Sequence, residues 1–165
     1  MKIVKIILQY FFTFLALRNI GKYKATPKVN FYSRFTKNTF LGKNCNFNGM
    51  IIRGNGKVVI GDNFHSGKDC LMITSFHKYE NANAIPYDTK EMIDKDVIIE
   101  DNVWIGDKVL ILGGITIEEG AIVQAGSVVV KDVPKCAIVG GSPAKIFKYR
   151  DIEAYEYLKT LGRVH

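Results

Sequence analysis

The sequence predicts an all-β chain wound as a parallel β-helix of six-residue repeats, with an N-terminal helix and a short C-terminal helix. Three observations carry this expectation. From Ile99 to Pro134 the chain divides into six consecutive hexads without a slip. Their first positions, Ile99, Ile105, Ile111, Ile117, Val123 and Val129, are all β-branched. Their fifth positions, Val103, Val109, Ile115, Ala121, Ser127 and Val133, are mostly small or β-branched. A step of six drifts around a helix surface, and a strand would mark every second residue. A short strand and a turn per hexad, three hexads to a coil, points each first-position side chain inward onto its equivalent in the next coil.

The first element is a helix. Lys2, Lys5, Gln9, Thr13 and Ala16 form one polar stripe, and Ile3, Val4, Ile6, Ile7, Leu8, Phe11, Phe12, Phe14, Leu15 and Leu17 fill the rest. The uncharged run from Ile6 to Leu17 is short of the roughly 20 residues that span a bilayer. Ala16-Leu17-Arg18 makes a poor signal-peptide cleavage site. Two readings stay open: a cap on the end of the core, or a helix lying in a membrane interface through residues 1–24. Residues 1–61 hold 11 Lys and Arg, ten aromatics and no Asp or Glu, within a chain of net charge +7. Such a front end suits an anionic partner. No nucleic-acid recognition motif accompanies the charge, so nucleic acid is not an expected partner.

The repeat reappears earlier with flaws. Leu41 with Cys45, Phe47 with Ile51, Ile60 with Phe64 and Met72 with Phe76 have the right offset, and a slip falls at Arg53-Gly54-Asn55-Gly56. Cys45, Cys70 and Cys136 form no CxxC pair; Cys45 and Cys70 read as small core fillers. Residues 78–96 interrupt the repeat as a long loop, a feature that is usually functional in a strict solenoid. After Pro134 come Gly140-Gly141-Ser142-Pro143-Ala144 and a helix with Ile152, Tyr155, Leu158 and Leu161 on one side. The expected division is a basic, aromatic arm at 1–38, a β-helix at 39–148 and a C-terminal helix at 149–165.

Asn102-Val103-Trp104-Ile105-Gly106-Asp107, Ala125-Gly126-Ser127-Val128-Val129 and Gly141-Ser142-Pro143-Ala144-Lys145 resemble segments of the hexapeptide-repeat acyltransferases. The resemblance runs from about Ile60 to Arg150 and implies a left-handed β-helix. It is nearest to the sugar O-acetyltransferases, similar to galactoside and maltose acetyltransferases and those modifying surface polysaccharides. The helical domain that the galactoside and maltose enzymes carry at the N-terminus is replaced by the basic aromatic segment.

Acetyl transfer from a thioester to a hydroxyl needs a base and oxyanion donors. The resemblance places the base at His77, in Thr74-Ser75-Phe76-His77-Lys78-Tyr79. Glu80, Asp88 or a backbone carbonyl is left to orient it. His65 reads as an outward-facing bystander. By the same resemblance Ala125 and Lys131 line the acetyl-CoA groove and Lys145 meets the CoA phosphates, with Lys148 or Arg150 sharing that work. Asp107 occupies an oxyanion position through its backbone amide. Trp104 lies near the acyl site or packs beside the coil. Tyr79, Asn81, Tyr87 and Asp88, with Asn83, have the polar and aromatic character of a sugar pocket. The expected assembly is a homotrimer, cytoplasmic or peripheral at the inner membrane face, that acetylates a sugar or lipid-linked saccharide. N-acetylation of a nucleotide-linked amino sugar and a non-catalytic binding module are the alternatives. No metal is expected: a zinc enzyme on this fold needs three His ligands, and His165 at the terminus is an implausible third.

Overall fold

The computed structural model describes residues 2–164, wound as a parallel β-solenoid of about 6 turns between two helices. Helix α1 (Lys2–Leu17) leads into a first coil of β1 (Lys22–Tyr23) and β2 (Lys28–Phe31). The second coil is β3 (Thr39–Leu41), β4 (Asn46–Asn48) and β5 (Ile51–Arg53); the third is β6 (Val58–Ile60), β7 (His65–Lys68) and β8 (Leu71–Ile73). A hairpin of β9 (Ser75–His77) and β10 (Met92–Asp94) follows. The fourth coil is β11 (Val97–Ile99), β12 (Trp104–Ile105) and β13 (Leu110–Leu112). The fifth is β14 (Ile115–Ile117), β15 (Ile122–Val123) and β16 (Val128–Val129). Strand β17 (Ala137–Gly140) closes the stack, β18 (Lys145–Tyr149) turns back antiparallel on it, and α2 (Ile152–Thr160) ends the fold.

Three faces result: β1-β3-β6-β11-β14, then β2-β4-β7-β12-β15-β17-β18, then β5-β8-β13-β16. The ladder therefore begins at Lys22, and residues 22–38, grouped above with the N-terminal arm, already pair as coil.

All twelve hexad positions named above are buried. They stack in register as Ile60–Ile99–Ile117, Ile105–Val123 and Met72–Ile111–Val129. In the earlier coils Cys45, Phe64 and Cys70 fill the core as expected. Ile51 and Phe76 do not: both are half-buried, and Met50, Ile52 and Thr74 point inward instead. Phe76 turns outward because the chain leaves the coil for the β9–β10 hairpin at Thr74. Ile51 shifts because of a second irregularity, a tight corner at Gly49, whose φ of +110° suits glycine alone. It removes one residue between the inward Phe47 and Ile52.

Acidic side chains staple successive coils at their corners. Asp62, Asp101 and Asp107 accept hydrogen bonds from the backbone N–H of Lys43 (2.9 Å), Asp62 (2.6 Å) and Lys68 (2.7 Å). Asp96 and Asp132 accept likewise from Lys57 and Thr116. Gly67 lies where any Cβ would land on the Asp107 carboxylate. Another corner is an amide ladder, Asn44 to Asn63 to Asn102, each residue in the left-handed region that Asn tolerates.

Helix α2 is not held by its apolar side. Ile152, Leu158 and Leu161 are exposed, and a polar clamp does the docking. The Tyr155 hydroxyl donates to Glu119 Oε1 and accepts from Asn102 Nδ2, both at 3.0 Å, while Lys159 and Lys135 pair with Glu119. Burial pushes the Glu119 carboxyl up, but Lys159, Tyr155 and Lys135 outweigh it and hold the group below its ordinary value. A depressed carboxyl stabilises above its unfolded pKa and loses that contribution as pH falls through the folded value. Glu119→Gln is therefore expected to cost about 1–2 kcal/mol at pH 7. In paired thermal melts that gap should close below about pH 4. A gap unchanged with pH would remove the charged clamp from the account.

Candidate active site

The hairpin that interrupts the solenoid is built and braced. The chain leaves the third face at Thr74, whose carbonyl accepts the Lys95 N–H at 2.8 Å where the chain returns. His77 ends β9 and pairs in register with Met92. Beyond it the Lys78 N–H donates to the Glu91 carbonyl, the Lys78 carbonyl accepts the Asp88 N–H, and the Lys78 ammonium meets Glu91 at 2.7 Å. The irregular loop is thus 78–91 rather than 78–96. His77 is exposed on this rigid base, with its ring stacked on Tyr87 at 4.2 Å and 17°.

Asp88 does not orient His77. It is buried, and its carboxylate accepts from the Lys90 N–H at 2.8 Å, the Glu91 N–H at 3.2 Å and the Asn83 side-chain amide at 3.1 Å. The Lys90 amide above all holds its carboxyl below the ordinary range. Asp88 therefore shapes the loop and has no carboxylate oxygen left over as an obvious sugar ligand. Tyr79, Asn81 and Tyr87 remain exposed. Asp88→Ala should raise trypsin cleavage after Lys78 or Lys90 by about tenfold, since the loop then opens locally. Unchanged cleavage would mean other contacts hold the loop.

Three residues assigned to the donor side share another edge, between the second and third faces. Asp107 and Ala125 occupy equivalent corners of successive coils, joined by the Gly126 N–H on the Asp107 carbonyl at 2.8 Å. Lys145 opens β18 opposite Gly140 at the next level, and Ala125 and Lys145 are exposed. One oxygen of the Asp107 carboxylate accepts the Lys68 N–H, so the oxyanion role expected of this residue rests on its backbone amide. Trp104 is 54% exposed on the second face, between His65 and Ile122. Exposed Lys131 follows β16 on the edge from which the His77 hairpin springs. Within one chain, then, His77 and Lys131 lie on one edge and Asp107, Ala125 and Lys145 on another.

Sequence reasoning missed the Tyr87 stack and a groove of about 450 Å³ beside α2, lined by His65, Trp104, Arg150, Tyr155 and Leu158 among others. Only the fold brings residues 65 and 155 together. No group of three or more His, Cys, Asp or Glu able to hold a metal occurs among the described residues, and His165 lies outside them. Burial pushes the Cys45 thiol up to about 11 and raises those of Cys70 and Cys136, which leaves them poor nucleophiles.

Residues 96–131 match the family described as bacterial transferase hexapeptide (six repeats). No curated protein sequence matches the chain. Solved structures do. A hexapeptide-repeat containing acetyltransferase from Vibrio cholerae O1 biovar eltor, complexed with acetyl coenzyme A, is 30% identical over 82% of this chain and 74% of its own, with a TM-score of 0.64. A maltose O-acetyltransferase from Clostridium difficile 630 is 28% identical over 79% and 66%, with a TM-score of 0.63. A galactoside acetyltransferase in complex with coenzyme A is 23% identical over 92% and 82%, with a TM-score of 0.66, a likeness of fold.

Proposed function

Since the chain belongs to the hexapeptide-repeat acetyltransferases, we propose that it is an acetyl-CoA-dependent O-acetyltransferase acting on a sugar hydroxyl, with His77 as general base. The observation that supports this most is the exposed imidazole at the end of a braced hairpin, stacked on Tyr87, at the residue to which the sequence resemblance assigns the base.

A ring nitrogen of His77 takes the acceptor hydroxyl proton as the oxygen attacks the thioester carbonyl. The backbone N–H of Asp107 is a donor for the tetrahedral oxyanion. Collapse breaks the carbon–sulfur bond, and the protonated His77 returns its proton to the departing thiolate. Small, exposed Ala125 leaves room along its edge for the pantetheine arm, Lys131 lines the groove, and Lys145 supplies positive charge for the CoA phosphates. Trp104 stands beside the acyl end. Because His77 and the Ala125 edge are apart in one chain, the site is completed between subunits of a homotrimer. Tyr79, Asn81 and Tyr87 face the acceptor.

The acceptor reading is a saccharide of bacterial surface-polysaccharide synthesis, lipid-linked at the inner face of the membrane. The basic, aromatic front end supports that setting. The test follows acetyl transfer to sugar alcohols, lipid-linked saccharides and nucleotide-linked amino sugars by mass spectrometry. Ester products support the reading. Amide products alone would replace it with N-acetylation.

A further inference from the structure

Helix α1 sits on its own protein with its apolar side turned away. The polar stripe faces the body: Thr13 and Ala16 are buried, and Thr13 Oγ1 accepts the Val29 N–H at 3.2 Å. The opposite side carries Ile3, Ile7, Tyr10, Phe11 and Phe14, which are 74%, 61%, 73%, 53% and 63% exposed. An amphipathic helix whose only task is to cap a core buries its apolar face. Here the capping is done by the narrow stripe and by Phe12, which packs against Phe31. Phe31 and Tyr32, both more than half exposed, continue the patch onto the first coil. From Ile3 to Leu8 every side chain is exposed, so the helix runs past the body.

The surroundings select the occupant. Residues 1–61 contain 11 Lys and Arg and no Asp or Glu, and Lys5, Arg18, Lys22, Lys28, Arg34 and Lys37 are all exposed. Covering the patch with a second copy would bring two strongly positive ends together. An anionic lipid surface satisfies both the apolar face and the charge. No helix among the described residues is long and apolar enough to cross a membrane, so α1 lies along the interface.

We propose that α1 is a bilayer-docking helix that inserts Ile3, Ile7, Tyr10, Phe11 and Phe14 into the interface of an anionic membrane, with the flanking cations on the headgroups. This names the surface at which the proposed reading places its acceptor, but the docking does not depend on acetyl transfer. The experiment is flotation of the full chain with vesicles of phosphatidylcholine, with and without phosphatidylglycerol, at physiological salt. The double variant Phe11→Glu, Phe14→Glu runs beside it. The wild type should float with anionic vesicles only, and the variant should lose about tenfold or more of its partitioning. Both positions are exposed, so its melting temperature and oligomeric state should match the wild type. Acetyl transfer to a soluble acceptor should also be unchanged, which separates a failure of docking from a failure of the enzyme reading. A wild type that stays at the bottom, or a variant that floats equally well, overturns the proposal. So does a variant that dissociates into smaller species, because the face is then a subunit contact.

Discussion

Replacing His77 with alanine is expected to lower acetyl transfer by about 100-fold or more while the solenoid stays folded. The two halves of that expectation have separate grounds. His77 is exposed and ends a strand whose register is fixed by backbone pairing with β10, so the side chain contributes little to the fold. Melting should therefore shift by no more than about 0.5 kcal/mol equivalent. The chemistry depends on it because no other described histidine shares its edge: His65 is on the second face beside Trp104. Tyr87→Ala, which removes the stacked ring, should cost less, since the imidazole remains and loses only its orientation. Tyr87→Phe keeps the stack and should stay near wild type. Steady-state rates with acetyl-CoA would check the series. Near-normal turnover in His77→Ala would remove the residue from the mechanism.

The largest expected loss of stability comes from Phe47→Ala, at about 3–5 kcal/mol. Phe47 is fully buried, with ring centroids 4.9 Å from Phe35 and 5.3 Å from Phe64. These three rings stack through the first three coils, beside aliphatic pairs such as Leu41–Ile60 and Ile52–Met72. Truncation leaves a cavity bounded by two rings on adjacent coils, which cannot both move in without breaking the ladder. For a chain of this size the melting temperature should fall by roughly 10 °C. A loss under about 1 kcal/mol would mean the coils repack freely there. The shape-conserving Phe47→Leu should be milder.

The regular coils were readable because their information is local. A β-branched residue every six positions can satisfy only one winding, and all twelve repeat positions from Ile99 to Val133 are buried. Ile51 was misplaced because a short corner at Gly49 shifts the phase there, and a glycine does not announce whether it adds or removes a residue. Phe76 was misplaced because the hairpin leaves the coil at Thr74, two residues before it. The corner staples were invisible for a different reason. Asp101 and Asp107 meet amides 39 residues away, across the inserted hairpin. Asp88 shows the same limit, since a carboxylate in a polar loop suits ligand binding and loop bracing equally until Lys90 and Glu91 turn toward it. The period of α1 was evident, but not which side meets the body. Along α2 the sequence marks one apolar side but not what holds the helix, and the Glu119–Tyr155 clamp does so.

Calorimetric titration of the purified protein with acetyl-CoA, alongside Lys145→Ala, tests the central claim most directly. The account predicts micromolar binding by the wild type, weakened about tenfold when the exposed Lys145 charge is removed from the phosphates. Absence of binding up to millimolar donor, in protein that is folded, would contradict it and leave the solenoid as a non-catalytic binding module.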